Sequence, residues 1–169
     1  KIASYEMVDL SLLKVVAQTR KPVIVSAAMA SSKEISAAIE ILRNYGASSL
    51  AVLHCINAYP AVPADMNIKT IVDIIRRFKV ISGLSDHSLN NIAAIASVAL
   101  GGSIIEKHLT LTRADKTPDA TFSLEPQEFK QLIQSVRDLE KSLGNIRYGV
   151  GVNETPNLIF RRSLFVVAD

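Results

Sequence analysis

The stretch that decides the fold is residues 80–108, VISGLSDHSLNNIAAIASVALGGSIIEKH. The apolar run Val80–Leu84 leads through polar residues into Leu89–Leu100, where apolar residues recur at helical spacing. Gly101 and Gly102 mark a turn, and a second apolar run, Ser103–Lys107, follows it. This order predicts two parallel strands of one sheet that are joined by a right-handed helical crossover.

The same unit recurs along the rest of the chain. The apolar runs are Lys1–Ser4, Pro22–Ser26, Ser49–Cys55, Val80–Leu84 and Ser103–Lys107. The helical patterns are Asp9–Thr19, Ser32–Tyr45, Asn67–Phe78, Leu89–Leu100 and Pro126–Leu143. The alternation predicts an α/β fold with a parallel sheet, either an open doubly wound sheet or the last five units of a (β/α)₈ TIM barrel. In both architectures, functional residues follow the carboxyl ends of the strands.

The character of the sequence changes after Gly144. Residues 145–157 are rich in Gly, Asn and Pro, which is typical of a linker, and the apolar run Leu164–Val167 predicts the start of another element. We therefore expect one domain over residues 1–144, and a linker with the beginning of a second domain over residues 145–169. The chain opens on Lys1 instead of Met and ends in a strand-like run, so we expect it to be a piece of a longer protein.

Composition narrows the classes of function. The net charge of +3 is small, and the basic residues are scattered among acids, so no patch for nucleic acid is expected. Apolar runs are too short to cross a membrane. The single cysteine, Cys55, excludes an internal disulfide and indicates a reducing compartment, hence a cytoplasmic protein. We expect Cys55 to pack in the sheet.

Histidines follow three of the predicted strands. His54, His87 and His108 are expected at one rim of the sheet, where two imidazoles from adjacent strands can bind one divalent cation. Glu106 is two residues before His108, hence on the same face, as a general base or additional ligand. A strand-end histidine that bonds only to the backbone is the alternative interpretation, although three at one rim favour a site.

One lysine and three serines also follow strand ends: Lys1, Ser4, Ser26 and Ser85. Their ammonium and hydroxyl groups can bind a phosphate or carboxylate. From spacing alone, ordinary turn serines are the better explanation of the pattern. Gly101-Gly102 precedes a strand, so it is no dinucleotide-binding motif.

Read in order, the segments resemble the sialic acid synthase family of nonulosonic acid synthases. The clearest match is Gly83-Leu-Ser-Asp-His87 followed by Ile105-Glu-Lys-His108. The other matching segments are Lys1–Ser4 with Glu6, Lys21–Ser26, Leu53–Pro60, Pro118-Asp119, Phe122–Pro126 and Arg162-Ser163-Leu164.

The resemblance implies a (β/α)₈ barrel followed by an antifreeze-like domain, in a homodimer of the full-length protein. This chain would hold the last five barrel units and the start of the second domain. It implies condensation of phosphoenolpyruvate with an N-acetylated hexosamine, with Mn²⁺ or Mg²⁺ as the metal. His87 and His108 would bind the metal, and Glu6 and Glu106 would manage protons or water. The implied substrate-binding residues are Lys1, Ser4, Ser26 and Ser85 for phosphoenolpyruvate, and Asn57, Tyr59 and Asp119 for the sugar.

The chain departs from the family pattern at two places. Ser26-Ala27-Ala28-Met29 lacks a hydroxyl and a glycine that the family usually has, and Ala120 follows Asp119 where a histidine is common. The less polar pocket, with the Phe122 and Arg162 segments, favours the pseudaminic acid branch and a 2,4-diacetamido-2,4,6-trideoxy sugar. The alternatives are an N-acetylneuraminate or legionaminate synthase and, in another class, a barrel fragment that binds sugar or metal without catalysis.

Overall fold

The computed structural model describes residues 1–115 and 117–161. The strands are β1 (Val23–Ser26), β2 (Leu50–Cys55), β3 (Ile81–Asp86) and β4 (Ile104–Lys107). The helices are α1 (Leu10–Gln18), α2 (Ser32–Asn44), α3 (Thr70–Phe78), α4 (Ile92–Ala99) and α5 (Pro126–Leu143). Short 3₁₀ helices cover Ser4–Glu6, Pro63–Asp65, Ala120–Phe122 and Val152–Phe160.

The four strands form one parallel sheet in the order β1-β2-β3-β4. The sheet is curled into a half-barrel, so the predicted parallel α/β architecture is confirmed and the open doubly wound alternative is set aside. Each strand is followed by a helix, as the alternation of the sequence predicts. The strand ends that carry the predicted site residues therefore lie at one edge.

The first predicted strand is shorter than expected. The run Lys1–Ser4 makes one bridge to the sheet, through Ile2 opposite Val25. Ile2 donates to the Ile24 carbonyl at 2.8 Å and accepts from the Ser26 amide at 3.0 Å. The chain turns into a 3₁₀ helix at Ser4, which ends the extended backbone after one bonded residue and leaves four strands instead of five.

Strand β3 is longer than the predicted run Val80–Leu84. It continues to Asp86, because Ser85 pairs with both Cys55 and Glu106, and Asp86 pairs with Lys107. Polar residues thus form the carboxyl end of a strand that is buried on both faces, as parallel strands usually are.

Local signals explain where the helices begin. At α2, the Ser31 hydroxyl accepts from the Glu34 amide at 3.3 Å, and the Glu34 carboxylate accepts from the Ser31 amide at 2.7 Å. This capping box satisfies backbone donors that the first turn leaves without partners. Helix α5 begins at Pro126, which needs no amide partner in the first turn.

The core lies between the sheet and the helices that cover its outer face. Leu13 of α1 and Leu42 of α2 are fully buried, and they pack with Val25 of β1 and Val52 of β2 in one cluster. A second cluster contains Leu84 of β3 and a third contains Leu132 of α5. Burial of these side chains holds the strands in place and thereby positions the residues at their ends.

The segment after α5 differs in part from the predicted linker 145–157. The 3₁₀ helix Val152–Phe160 occupies its second half. The predicted element Leu164–Val167 and the motif Arg162-Ser163-Leu164 lie outside the described residues. In the part of the chain that is described, no helix combines the length and the apolar character needed to span a bilayer.

Candidate active site

A cavity of about 230 Å³ lies at the carboxyl ends of the strands. It brings together nine of the eleven residues that the sequence singles out for the site. Ser85 reaches it with His87, and Glu106 with His108, because alternate residues of a strand project from the same face. The nine residues are Lys1, Ser4, Ser26, Asn57, Tyr59, Ser85, His87, Glu106 and His108.

The two histidines predicted to bind a metal are neighbours in this cavity. The ring centroids of His87 and His108 are 5.3 Å apart, with 64° between the ring planes. The ring of Tyr59 lies 4.3 Å from His87, and Phe122 lies 5.0 Å from both Tyr59 and His108. The two imidazoles thus share one wall of the cavity with the ring of Tyr59, and Phe122 packs against Tyr59 and His108. Burial raises the pKa of the Tyr59 hydroxyl, so this phenol stays protonated.

The protonation of His87 suits a metal ligand. Its Nδ1 lies 2.8 Å from the carbonyl oxygen of Ile56. A carbonyl can only accept, so Nδ1 carries the hydrogen and Nε2 keeps a free lone pair. Burial, more than the neighbouring His108, lowers the pKa of His87. The ring is therefore neutral at physiological pH, as metal binding requires.

The donor set fits an open metal site instead of a closed one. Within residues 1–115 and 117–161, no three His, Cys, Asp or Glu side chains are grouped to bind a metal ion. Two imidazoles leave several coordination positions for water or substrate, which is the arrangement of catalytic sites. The bond from His87 Nδ1 to a backbone carbonyl is the kind of outer contact that orients such a ligand.

A second wall of the cavity is polar and charged. The Ser85 hydroxyl donates to Glu106 Oε1 at 2.8 Å, and Lys1 Nζ lies 3.3 Å from the same oxygen. The Ser4 hydroxyl accepts from the Ala28 amide at 3.0 Å. An ammonium group, hydroxyls and a carboxylate thus line the same cavity as the two imidazoles.

Two buried polar atoms of the cavity have no hydrogen-bond partner among the described residues. They are Ser26 Oγ and Asn57 Nδ2. A buried polar group without a partner costs about 1–3 kcal/mol, so such groups are normally satisfied by water or a ligand. Both atoms face the cavity, where water or a polar ligand would satisfy them.

Two predicted site residues do not line the cavity. Glu6 lies in the 3₁₀ helix Ser4–Glu6, where its Oε2 accepts from the Ala3 amide at 2.8 Å. That bond points its carboxylate at the local backbone. Asp119 lies beside the cavity, with its Oδ2 3.6 Å from His108 Nδ1 and its side chain 61% exposed.

The expectation that all three histidines share the rim is wrong for His54. Its Nε2 lies 2.7 Å from the Met66 carbonyl, on the opposite face of β2, and Cys55 lines the cavity in its place. The Cys55 sulfur is 4.0 Å from His87 Nδ1, and burial raises the pKa of the thiol. Cys55 pairs with Ser85, which lines the cavity. Because paired residues of adjacent strands project to the same side of the sheet, this pairing places Cys55 at the cavity.

A larger cavity, of about 390 Å³, lies between the start of α3 and the start of α4. Met66, Ile68 and Ala93 contribute to its lining. None of the eleven predicted site residues does so. We therefore take the smaller cavity, where ionisable and unsatisfied polar groups converge, as the candidate active site.

The sequence and the fold match known proteins over most of the chain. The family model of the NeuB family matches residues 1–148. A pseudaminic acid synthase of Campylobacter jejuni is 38% identical over the whole chain, and an N,N'-diacetyllegionaminic acid synthase of the same species is 37% identical over the whole chain. The chain spans 49% and 52% of these two relatives, about half of their length.

A solved structure has the same arrangement of elements. The N-acetylneuraminic acid synthetase of Leptospira borgpetersenii, crystallised with citrate, superposes with a TM-score of 0.83 at 31% identity. The match covers 96% of this chain and 57% of that one. The half-barrel is therefore shared with a sugar-acid synthase.

Proposed function

The chain belongs to the NeuB family, and from this premise we propose that the protein condenses phosphoenolpyruvate with an N-acetylated amino sugar. The product is a nonulosonic acid, and inorganic phosphate is released. The relatives are pseudaminic, legionaminic and sialic acid synthases, which supports the synthesis of a nonulosonic acid.

One observation carries the proposal. The unsatisfied Ser26 hydroxyl and Asn57 amide share a cavity with Lys1, Glu106 and two neighbouring imidazoles. An anionic substrate and a polar sugar would supply the missing hydrogen-bond partners. The proposed reaction needs both of them in one site.

The positions of the polar side chains in the cavity support separate roles in binding phosphoenolpyruvate and in its reaction. Lys1 and the hydroxyls of Ser26 and Ser85 bind its phosphate and carboxylate by charge-assisted hydrogen bonds. Its C3 forms a bond to the aldehyde carbon of the open-chain sugar, whose oxygen takes up a proton from solvent. Positive charge develops at C2, and the carboxylate of Glu106 stabilises it.

Glu106 then accepts a proton from the water that adds at C2. The bond from C2 to the phosphate oxygen then breaks, while the new C2 hydroxyl loses its proton to solvent and becomes the keto group. Glu106 passes its proton to the departing phosphate, which Lys1 holds. The contacts of Glu106 with Ser85 and Lys1 keep its carboxylate at the phosphoenolpyruvate end of the cavity. Glu6 is the alternative proton-managing residue, although it is bound to the Ala3 amide.

His87 and His108 are the residues that would bind a divalent cation, Mn²⁺ or Mg²⁺. When bound, such an ion polarises a carbonyl oxygen as a Lewis acid. Asn57, Tyr59 and Asp119 would orient the sugar beside it. The ring of Tyr59 on the cavity wall supports a 6-deoxy sugar over N-acetylmannosamine, so we favour a 2,4-diacetamido-2,4,6-trideoxy sugar. Legionaminic and pseudaminic acid share this class of precursor, and the similarity to pseudaminic acid synthases supports the pseudaminic acid branch.

The direct test is phosphate release from phosphoenolpyruvate by the protein in its natural length. The candidate sugars are the diacetamido-trideoxy precursors of pseudaminic and legionaminic acid, and N-acetylmannosamine. We expect turnover with the pseudaminic acid precursor. Turnover with N-acetylmannosamine alone would contradict the choice of sugar, and no phosphate release with any sugar would contradict the reaction.

Replacement of Ser26 tests the site itself. Because Ser26→Ala removes one hydrogen bond to an anionic ligand, we expect KM for phosphoenolpyruvate to rise at least about tenfold. Ser97→Ala is the matched control, since the Ser97 hydroxyl is also buried but donates to the Ala94 carbonyl within α4. Equal KM values for the two variants would exclude Ser26 from the site.

A further inference from the structure

We propose that Asp86 and Lys107 form a buried clamp that positions the two histidines of the cavity. The inference rests on the proposed role of His87 and His108 as metal ligands. Asp86 directly precedes His87, and Lys107 directly precedes His108. Neither Asp86 nor Lys107 lines the cavity.

The two side chains make an ion pair in the protein interior. Lys107 Nζ lies 2.9 Å from Asp86 Oδ2, and the two side chains are 2% and 0% exposed. Asp86 and Lys107 are register partners at the last paired position of β3 and β4. They project to the face opposite the cavity, because the next residue of each chain segment projects into it.

Directed hydrogen bonds extend the pair to the turn that follows His87. Lys107 donates to the carbonyl oxygens of Ser88 and Asn90. Asp86 Oδ1 accepts from the Ser88 amide at 2.8 Å. The backbone on the carboxyl side of His87 is thereby tied to the strand that carries His108.

Stability alone does not account for this arrangement. Removing two charges from water carries a large desolvation cost, and a well-packed apolar pair often stabilises a fold as well or better. An apolar pair makes no directed bonds, however, so it cannot hold a turn at a set position relative to a strand. The 5.3 Å between the two imidazole rings depends on that position.

The test separates positioning from folding in the protein of natural length. In Asp86→Val/Lys107→Met, an apolar pair of similar volume replaces the clamp. Mn²⁺ affinity is measured by the electron paramagnetic resonance signal of unbound Mn²⁺, and folding by the thermal midpoint in the presence of a chelator. Asp73→Val/Arg77→Met is the matched control, because it removes an exposed ion pair of α3.

We expect the double variant to keep its thermal midpoint while its Mn²⁺ affinity falls tenfold to a hundredfold, in the range of outer contacts to metal ligands. The control should keep both properties. Asp86→Asn is the second variant if the double variant does not fold. It keeps the acceptor for Ser88 and the Lys107 bonds to the turn, but it leaves the buried ammonium of Lys107 without a counter-charge. A smaller loss of affinity is expected, because the bonds to the turn remain.

Two results would overturn the inference and are distinguishable from each other. Unchanged Mn²⁺ affinity in every folded clamp variant would show that the pair is only structural. Absence of Mn²⁺ binding in the unaltered protein would refute the proposed metal role, and the clamp with it.

Discussion

At the scale of single residues, hydrogen bonds to backbone carbonyls fix which ring nitrogen of a histidine carries the hydrogen. The Ile56 carbonyl fixes the hydrogen of His87 on Nδ1 and leaves the lone pair of Nε2 free. The Met66 carbonyl is bonded to Nε2 of His54, on the far side of β2. His87 therefore lines the cavity, whereas His54 is bonded to the backbone on the other face of the sheet.

Replacement of His87 or His108 by Ala should weaken Mn²⁺ binding more than about a hundredfold, because a direct ligand matters more than an outer contact. Phosphate release should fall in parallel. Both are measured on the protein of natural length. His54→Gln is the control and should bind Mn²⁺ normally. Wild-type turnover in the double alanine variant would refute the metal role.

The free energy of unfolding should depend on pH through His54. Burial lowers its pKa in the folded state from the ordinary value of 6.5, so the unfolded chain binds the proton more readily. Above pH 6.5, His54 is neutral in both states and does not reduce the free energy of unfolding. As pH falls from 6.5 towards the lower pKa of the folded state, the free energy of unfolding decreases by up to about 1.4 kcal/mol per pH unit.

Urea unfolding at pH 7.5 and pH 5.0 measures this effect. Since Gln does not titrate in this range and can donate to the Met66 carbonyl, His54→Gln should reduce the loss of stability between the two pH values. The lowered pKa of His87 acts in the same direction, so part of the loss should remain. An equal loss in both proteins would contradict the role of His54.

At the scale of elements, the approach of β3 to β4 depends on one glycine. A Cβ atom at Gly83 would lie 1.9 Å from the carbonyl oxygen of Ile104. The neighbouring atom is backbone, which cannot rotate away as a side chain can. The same two strands end in Asp86 and Lys107, so their spacing also sets the position of the two imidazoles.

Gly83→Ala should therefore destabilise the fold by about 3 kcal/mol or more, because the two strands must separate. Chemical denaturation measures this directly. Gly149→Ala is the comparison: no atom lies within 4 Å of its Cβ position, and only its positive φ of 87° resists the change, at a cost of about 1 kcal/mol. Similar losses in the two variants would show that the close approach is not rigid.

At the scale of the whole molecule, the described residues form a half-barrel with open edges. β4 has no strand on its outer side within residues 1–115 and 117–161, and the opposite edge carries one bridge at Ile2. Ile146 and Tyr148 are 94% and 93% exposed. Exposed strand edges and exposed apolar side chains favour association with other polypeptide chains.

The 169-residue chain on its own should therefore self-associate and lack synthase activity. Light scattering after size-exclusion chromatography and the phosphate-release assay measure the two properties. The protein of natural length is the control and should be active. A monomeric chain with a rate close to that of the control would contradict this prediction.

Much of the fold could be predicted from the sequence, because its signals are local. Each of the five α-helices lies within its predicted range, Pro126 begins α5 as expected, and Gly101 lies in the predicted turn before β4. The parallel order follows from the alternation of strand and helix. It brings the strand-end residues Ser85, His87, Glu106 and His108 to one edge, so most of the candidate site follows from the same local signals.

Because periodicity and turn residues act within a few positions, the five α-helices, four of the five strands, their order and the edge at which the polar residues meet could be predicted from the sequence. Only the tertiary structure decided that Cys55 faces the cavity and His54 does not, that Glu6 bonds to the backbone, and that Asp86 pairs with Lys107. These contacts depend on the register between strands that are distant in sequence. A shift of one residue in that register would move every side chain of the strand to the opposite face of the sheet, and the local sequence pattern does not show which register forms.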